Sequence, residues 1–569
     1  MLRHLSILTL FAFVTFFAGL GRAAIGDSDE AFYAEAAREM VESGDWLTPT
    51  YNYEPRFQKP ILYYWLAAAA FEVAGVSEAA ARFPSALAGL GLTLLTYFCG
   101  RRWFGPAVGL VSGLIVATNF GYYSIARLAL PDLPLAFFIT LSVWAAFESL
   151  RPPAPGQGSA LSTRGWLMVS AAAAGLAVLT KGPVGVALPA LVVGASLVVV
   201  RDWRGNPARP DGPRADGRFP WRGTDLALAA AVFVIVAAPW YAAMADRHGV
   251  GYLHRFFVGE NLERFATDRY NNPRPPGFYL PVVFGGLLPW SPVMLLWVPA
   301  VVRWLRNRRR LEPAHWRLVL WAGLPLLFYS LSIGQQPRYV LPILPPLAVL
   351  IARTIRARVD VAATARRGVE PSLAWCATIS ALVLAALGIL LWRGTPLLFA
   401  LEPRASVVAT AVIVAAAAAI AAVAWLGRPA HLVGTLAAAS ALTLLTLHFT
   451  VYSGAGLEPV QRMATEFSTH YAAGMPTGTY RVFVRNLVFY TGVKQLDLRD
   501  EDQLQAFLRS PDRVLSVMRD SDLARIEPTL RPVRLSQVTY FNPAALRLRT
   551  LVHPDPAHDL DQVWLVANR

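Results

Sequence analysis

Apolar residues in this chain gather into long uninterrupted stretches, at roughly 5–24, 84–100, 105–124, 131–150, 166–181, 183–200, 225–244, 278–302, 318–333, 339–355, 373–392, 405–427 and 432–452. At ~1.5 Å rise per helical residue these approach the ~30 Å of a hydrocarbon core. The pattern predicts a polytopic α-helical membrane protein with about thirteen transmembrane helices. Residues 5–24 have the apolar core of a signal peptide, with Ala23-Ala24 as a cleavage-like pair. Their spanning length and the many spans that follow favour a first transmembrane helix. The stretches on either side of Lys181 read either as two helices or as one long broken helix.

Two regions depart from the pattern. Between residues 25 and 83, Phe32, Ala36 and Met40 share a helical face with Tyr33, Ala37 and Val41, while Glu35, Arg38, Glu39 and Glu42 point elsewhere. This predicts an amphipathic interfacial helix ending at Ser43-Gly44. Residues 60–75 are apolar but short and contain Glu72, which suits a helix lying at or dipping into the outer interface. From about residue 455 the apolar runs shorten. Strand-like Tyr480–Val484 and Val514–Met518 alternate with a helix-like stretch over 501–508, which predicts a soluble α/β domain. The expected organisation is a transmembrane domain over 1–454, whose first loop is 25–83, and an extracytoplasmic domain over 455–569. Residues 151–165 and 202–223 read as cytoplasmic linkers.

Composition agrees: 55% of residues are hydrophobic and the mean hydropathy is +0.42. A formal charge of +15 would suggest nucleic acid in a soluble protein. Here the excess sits in short loops: Arg101 and Arg102; Arg201, Arg204, Arg209, Arg214, Arg218 and Arg222; Arg303, Arg306 and Arg308 to Arg310; Arg353, Arg356, Arg358, Arg366 and Arg367. That alternation is the positive-inside signature. It gives no nucleic-acid signal and puts the N-terminus in the cytoplasm. Residues 25–83, 245–277 and the C-terminal domain fall on the far side. The final domain, with 14 basic and 13 acidic residues, lacks this bias. Cys99 and Cys376 lie far apart in separate spans and predict neither a disulfide nor a metal site.

Candidate chemistry concentrates on the far side. Asp29 and Glu30 begin the first-loop helix. Asp27 or Asp29 suits a helix cap, with Asp27-x-x-Glu30 as a capping-box variant; alternatively, a carboxylate just outside the membrane takes a proton from an acceptor. Asp132, in Leu130-Pro131-Asp132-Leu133-Pro134, reads equally as a cap or a functional carboxylate, with Arg127 as an available partner. Lys59, Arg82, Lys181, Arg264 and Arg338 all lie on the side where orientation supplies no reason for cations. An anionic substrate supplies one. Tyr63, Tyr64, Trp65, Trp240, Tyr241, Phe278, Tyr279, Trp290 and Tyr339 suit an interfacial aromatic belt, some of which also suits sugar stacking. No phosphate-binding loop, dinucleotide fingerprint, metalloprotease pair or serine elbow is present.

The series Asp29-Glu30-x-x-Tyr33, Ser43-Gly44-Asp45-Trp46, Lys59-Pro60-x-Leu62-Tyr63-Tyr64-Trp65 and Ala81-Arg82-Phe83-Pro84 resembles the opening of the bacterial ArnT-like and protein O-mannosyltransferase families of GT-C glycosyltransferases. Thr180-Lys181-Gly182-Pro183, Asn261-Leu262-Glu263-Arg264, Leu288-Pro289-Trp290-Ser291 and Arg338-Tyr339-Val340-Leu341-Pro342 continue the resemblance in order. It implies an inverting membrane glycosyltransferase that moves a sugar from a polyprenyl-phosphate donor to a lipid, glycan or protein acceptor outside the bacterial inner membrane. By resemblance, Asp29, Glu30 and Asp132 are catalytic and the site of any divalent metal. Lys59, Arg264, Tyr339 and Arg338 hold the donor phosphate, and Tyr33, Tyr63 and Arg82 contact substrate. One departure is Gln58, where ArnT-like enzymes commonly carry glutamate. A transporter of lipid-linked sugars is the competing class, but it predicts a midplane site and internal repeats, whereas the charges here cluster at one interface.

Overall fold

The computed structural model describes the chain outside residues 152–160, 201–220, 269–272, 308–311, 365–367, 398–402, 427–428, 453–457 and 542–546. Most of the expected linker residues, Arg201 to Arg218, Arg308 to Arg310, Arg366 and Arg367, and the expected domain boundary at 454/455 lie outside the described residues. Each of the thirteen apolar stretches contains at least one helical segment. Among the described residues, eight helices have full spanning length and apolarity, and up to nine when the bent pair Pro106–Ala117 and Phe120–Ala126 is taken together. The rest are shorter or broken. The first helix, Leu2–Phe17, stops well before residue 24 because the chain turns at Gly19, whose φ is +67°.

Lys181 marks a true break between Thr163–Lys181 and Val184–Val199. Gly182 takes φ +90° there, a backbone region that side chains strongly disfavour. Three residues on, a Cβ on Gly185 would lie 2.4 Å from the Ala177 carbonyl carbon, so the two helices cross with no room for a side chain. The break leaves Lys181 at a helix end, free to reach sideways.

The first loop folds into a cap rather than an amphipathic helix lying loose at the interface. Helix Asp29–Ser43 ends at Gly44 in the left-handed region, as expected, but Glu35 and Glu39 are buried with the apolar face. A hairpin, β1 Thr50–Tyr51 and β2 Glu54–Pro55, helix Leu62–Ala74 and the C-terminal domain surround it. Arg38 neutralises Glu35 at 2.7 Å and Glu42 at 2.9 Å. Trp290 and Tyr63 are buried in packed cores instead of forming a lipid-facing belt; the Trp290 indole donates to Thr118 Oγ1 at 3.1 Å.

After residue 458 the chain builds one five-stranded sheet from β3 Thr477–Tyr480, β4 Leu496–Leu498, β5 Leu515–Arg519, β6 Val533–Tyr540 and β7 Asp561–Ala567. Its order is β4-β3-β5-β7-β6, parallel on the β4-β3-β5 side and antiparallel on the other. The strand expected over 480–484 ends at Tyr480, because Arg481 and Phe483 take positive φ. The residues after that kink turn back onto the first loop. Asn486 Nδ2 donates to the Ile25 carbonyl at 2.9 Å, Tyr490 receives the Ile25 N–H and bonds Glu78, and the Tyr53 hydroxyl donates to the Gly492 carbonyl at 2.6 Å. The C-terminal domain is thus bolted to the first loop, on the same side of the helical body.

Candidate active site

Ser28, not Asp27 or Asp29, caps the first-loop helix: its hydroxyl accepts from Glu30 N. Asp27 Oδ1 is instead taken by the Arg485 N–H at 2.8 Å. Asp29 is therefore released from capping, and its side chain is 47% exposed. Its one ion-pair partner among the described residues is Arg338, which also lies 3.5 Å from Asp132 Oδ2. Asp132 is buried, and its Oδ1 accepts from Lys181 Nζ at 2.5 Å. Lys181 in turn stands 4.5 Å from the Tyr339 ring centroid, at cation–π range. The result is a chain of alternating charge, Asp29–Arg338–Asp132–Lys181, open at the Asp29 end. Burial raises the Asp29 carboxyl, but Arg338, Arg56 and Arg485 outweigh it and hold the group below its usual range.

Beside this chain stands Lys59, half-buried. Its ammonium has no hydrogen-bond or ion-pair partner among the described residues. Burial, then the charges of Arg264 and Lys181, depress it well below an ordinary lysine. Arg264 is paired with Glu260 at 3.2 Å. It is brought here by a tight crossing: a Cβ on Gly334 would be 2.3 Å from the Arg264 carbonyl oxygen, and Ile333 N bonds the Phe265 carbonyl at 3.0 Å. That crossing joins the Arg264 segment to the segment that leads into Arg338 and Tyr339. Cations from four separate parts of the chain thus lie in one region, Lys59 among them without a partner among the described residues, an arrangement suited to an oxyanion.

A model of the dolichyl-phosphate-mannose-protein mannosyltransferase family matches residues 6–245. Among relatives, the undecaprenyl phosphate-alpha-4-amino-4-deoxy-L-arabinose arabinosyl transferase 2 of Proteus mirabilis is 29% identical over 350 residues, 61% of this chain and 58% of its own. The corresponding transferase 1 of Sodalis glossinidius is 30% identical over 396 residues, 68% of this chain and 66% of its own. The crystal structure of ArnT from Cupriavidus metallidurans bound to undecaprenyl phosphate superposes with a TM-score of 0.72 at 23% identity, covering 99% of this chain and 98% of that one. In sequence the chain is similar to the ArnT-like GT-C proteins over part of its length, and it has the fold of the ArnT structure. It is a multi-pass membrane protein, and its sequence match spans about 58% of the length of the first of these relatives.

Within that ArnT-like frame, several expected site residues take other roles. Glu30 is 1% and Arg82 2% exposed, and they form a closed pair at 2.7 Å. The remaining capacity of Glu30 is spent on Gly26 N and Ala129 N, both at 2.9 Å. Arg82 is spent on the carbonyls of Leu20, Ala23 and Ala24. Neither side chain faces a substrate; the pair ties the first helix, the first loop and the Ala129 segment together. Tyr63 is buried, bonding the Ala81 carbonyl and Ser85, and Tyr33 is buried with its ring 5.4 Å from Tyr63 and 5.3 Å from Tyr64. Tyr63 holds the loop, whereas Tyr33 also stands within reach of the charges of Asp29, Asp132 and Arg56. Arg127 does not reach Asp132: it donates to the carbonyls of Thr15 and Ala18 and meets His448 at 2.7 Å.

The expected divalent metal does not fit this donor set. Glu30 is saturated and Asp132 is claimed by two cations. Among the described residues, no group of three acidic, histidine or cysteine side chains is arranged to hold a metal ion. One residue escaped sequence reasoning as a site member, Arg56, whose charge reaches Asp29 in the folded loop; Lys181 is among the expected cations, but its pairing with Asp132 is not legible in the sequence. Helix-ending Lys181-Gly182-Pro183 carried a signal; nothing in Glu54-Pro55-Arg56 did.

Proposed function

We propose that this chain transfers a sugar from a polyprenyl-phosphate carrier to a lipid, glycan or protein acceptor on the extracytoplasmic side of the bacterial inner membrane. The observation that carries the reading is the unpaired, desolvated Lys59 beside Arg264 and Lys181, adjoining the carboxylate Asp29. A lipid-linked phosphate is an anion that suits these cations, and the ArnT structure that shares this fold is bound to undecaprenyl phosphate. The arginine-rich segments of the sequence, read by the positive-inside rule, support a site on the extracytoplasmic side.

In this reading, an acceptor oxygen attacks the anomeric carbon as the bond from that carbon to the phosphate oxygen breaks. The electron pair leaves on the phosphate, where Lys59 and Arg264 neutralise it. A single displacement inverts the anomeric configuration. Asp29, held ionised, orients the incoming acceptor and takes its proton, where it has one, as the new bond forms. Arg338 keeps Asp29 and Asp132 in register and prevents their mutual repulsion. Gln58, whose Oε1 is buried with no hydrogen-bond partner, offers the donor sugar a neutral acceptor. That favours a hydroxyl over the ammonium of an aminosugar.

Membranes containing the chain are to be given undecaprenyl phosphate carrying a pentose, an aminopentose or a hexose, together with an envelope extract as acceptor. Release of undecaprenyl phosphate from one of these donors is the expected result. Movement of donors across the bilayer with no release from any of them would overturn the reading in favour of a transporter.

A further inference from the structure

We propose that Arg485 of the C-terminal domain and Arg56 of the first loop form a second anion subsite, one that receives an oxyanion carried by the acceptor. The C-terminal domain then supplies part of the active centre. This deepens the function proposed above and rests on Asp29 being the acceptor-side carboxylate.

Phe32 lies three residues after Asp29 on the same helix, hence on the same face. The Arg56 guanidinium carbon is 4.1 Å from the centre of the Phe32 ring and that of Arg485 is 5.5 Å from it. Two guanidinium groups thus share one aromatic ring. Among the described residues neither is paired with a carboxylate; the Arg56 side chain makes a single hydrogen bond, from Nε to the Tyr64 hydroxyl at 3.2 Å. Both contribute to holding Asp29 ionised, but Asp29 itself is taken by Arg338. Neither guanidinium has a carboxylate to neutralise it, and their planar donors suit phosphate or carboxylate oxygens.

The placement is built rather than incidental. The Arg485 N–H donates to Asp27 at 2.8 Å, its carbonyl accepts from the Tyr51 hydroxyl at 3.2 Å, and Asn486 is bonded to Ile25. Tyr51 also packs edge-on against Phe32, with centroids 4.7 Å apart. These anchors are backbone bonds and neighbouring side chains, so they fix position 485 whatever its side chain. The residue is exposed and belongs to the soluble domain, so a ligand reaches it from water. The Lys59 cluster, with Arg264 and Lys181, suits the carrier; the charge of Arg56 also reaches Lys59, so Arg485 is the cation that belongs to the second subsite alone.

The test uses the full chain in detergent and two probes. Undecaprenyl phosphate reports the carrier site. Glucosamine 1-phosphate, added with that site saturated, reports the second subsite, and glucuronate in a parallel titration distinguishes a phosphate from a carboxylate preference. Arg485→Ala is expected to weaken one soluble probe about tenfold, the loss of one charge-assisted bond. Arg485→Lys is expected to restore part of this, and carrier binding to change by less than about twofold. Lys59→Ala is expected to show the reverse pattern. If the chain binds undecaprenyl phosphate but neither soluble probe depends on Arg485, the subsite is overturned and the transferase reading stands. If undecaprenyl phosphate itself does not bind, the transferase reading fails and the subsite with it. Thermal unfolding of Arg485→Ala, expected to match the unsubstituted chain, separates lost binding from lost folding.

Discussion

Asp29 and Glu30 are neighbours in sequence with opposite fates. Glu30 is sealed in the protein with Arg82, every oxygen bonded; Asp29 stands half-exposed at the open end of a charge relay through Arg338 to Asp132 and Lys181. Successive helical residues point about 100° apart, so one faces the packed seam against the Ala129 segment and the other the open side. A saturated buried pair organises the fold, whereas an incompletely matched, exposed one is available for chemistry.

The comparison breaks most sharply at Asp29. Asp29→Asn is expected to lower transfer from polyprenyl phosphate ~10²–10⁴-fold with the unfolding midpoint unchanged; full transfer by this variant would remove Asp29 from the mechanism. Glu30→Ala or Arg82→Ala should do the opposite, costing ~3–5 kcal/mol of stability because each leaves a buried charge alone. Thermal unfolding in detergent reads this. A Glu30→Leu/Arg82→Met double variant should recover much of the loss, and no recovery would mean that the pair's backbone bonds matter more than its charges.

Next in size is Lys59. Lys59→Ala should weaken undecaprenyl phosphate binding about tenfold or more, as for a charge-assisted contact. The lysine is depressed when free, and phosphate favours its protonated form. Affinity should therefore fall as pH rises through the depressed value, and Lys59→Arg should flatten that dependence.

A smaller effect is expected from Glu39, which is buried with Glu35 nearby and is pushed up to about 7 from an ordinary value of 4.5. Its Oε1 accepts the Tyr53 N–H at 3.0 Å while Oε2 has no hydrogen-bond partner. A raised carboxyl binds its proton more tightly folded than unfolded. Its contribution to stability is therefore fully present below about pH 4.5 and lost as pH rises through 7. Glu39→Gln should raise the unfolding midpoint at pH 8 and leave it little changed at pH 4.5; equal shifts at both would sink this account. Smallest of all, Lys494→Ala removes a surface pair with Glu54 at 2.9 Å and should cost less than ~1 kcal/mol.

Much of the helical body was legible because spanning helices need long apolar runs, and the sequence has them. Their ends were less so: Gly19 and Gly182 stop helices through backbone angles that hydropathy does not register. The family motifs pointed to Asp29, Asp132, Lys59, Arg264, Arg338 and Tyr339, and the structure brings these together. The same motifs gave no means of setting apart Glu30, Tyr63 and Arg82, since a side chain that builds the loop and one that faces the open site follow the same local pattern.

The sequence alone determined that this is a polytopic membrane protein with carboxylates and cations gathered on one side, because hydrophobic length and loop charge are local properties summed along the chain. Only the tertiary structure decided who pairs with whom. Arg82 goes to Glu30 rather than to a substrate, Arg127 to the first helix rather than to Asp132, and Lys181 to Asp132 across 49 residues. It also brought Arg485 to Phe32, more than 450 positions away, which no periodicity records. Charges act through space within a few ångströms, and where a folded chain places them depends on how helices and loops pack, not on their order.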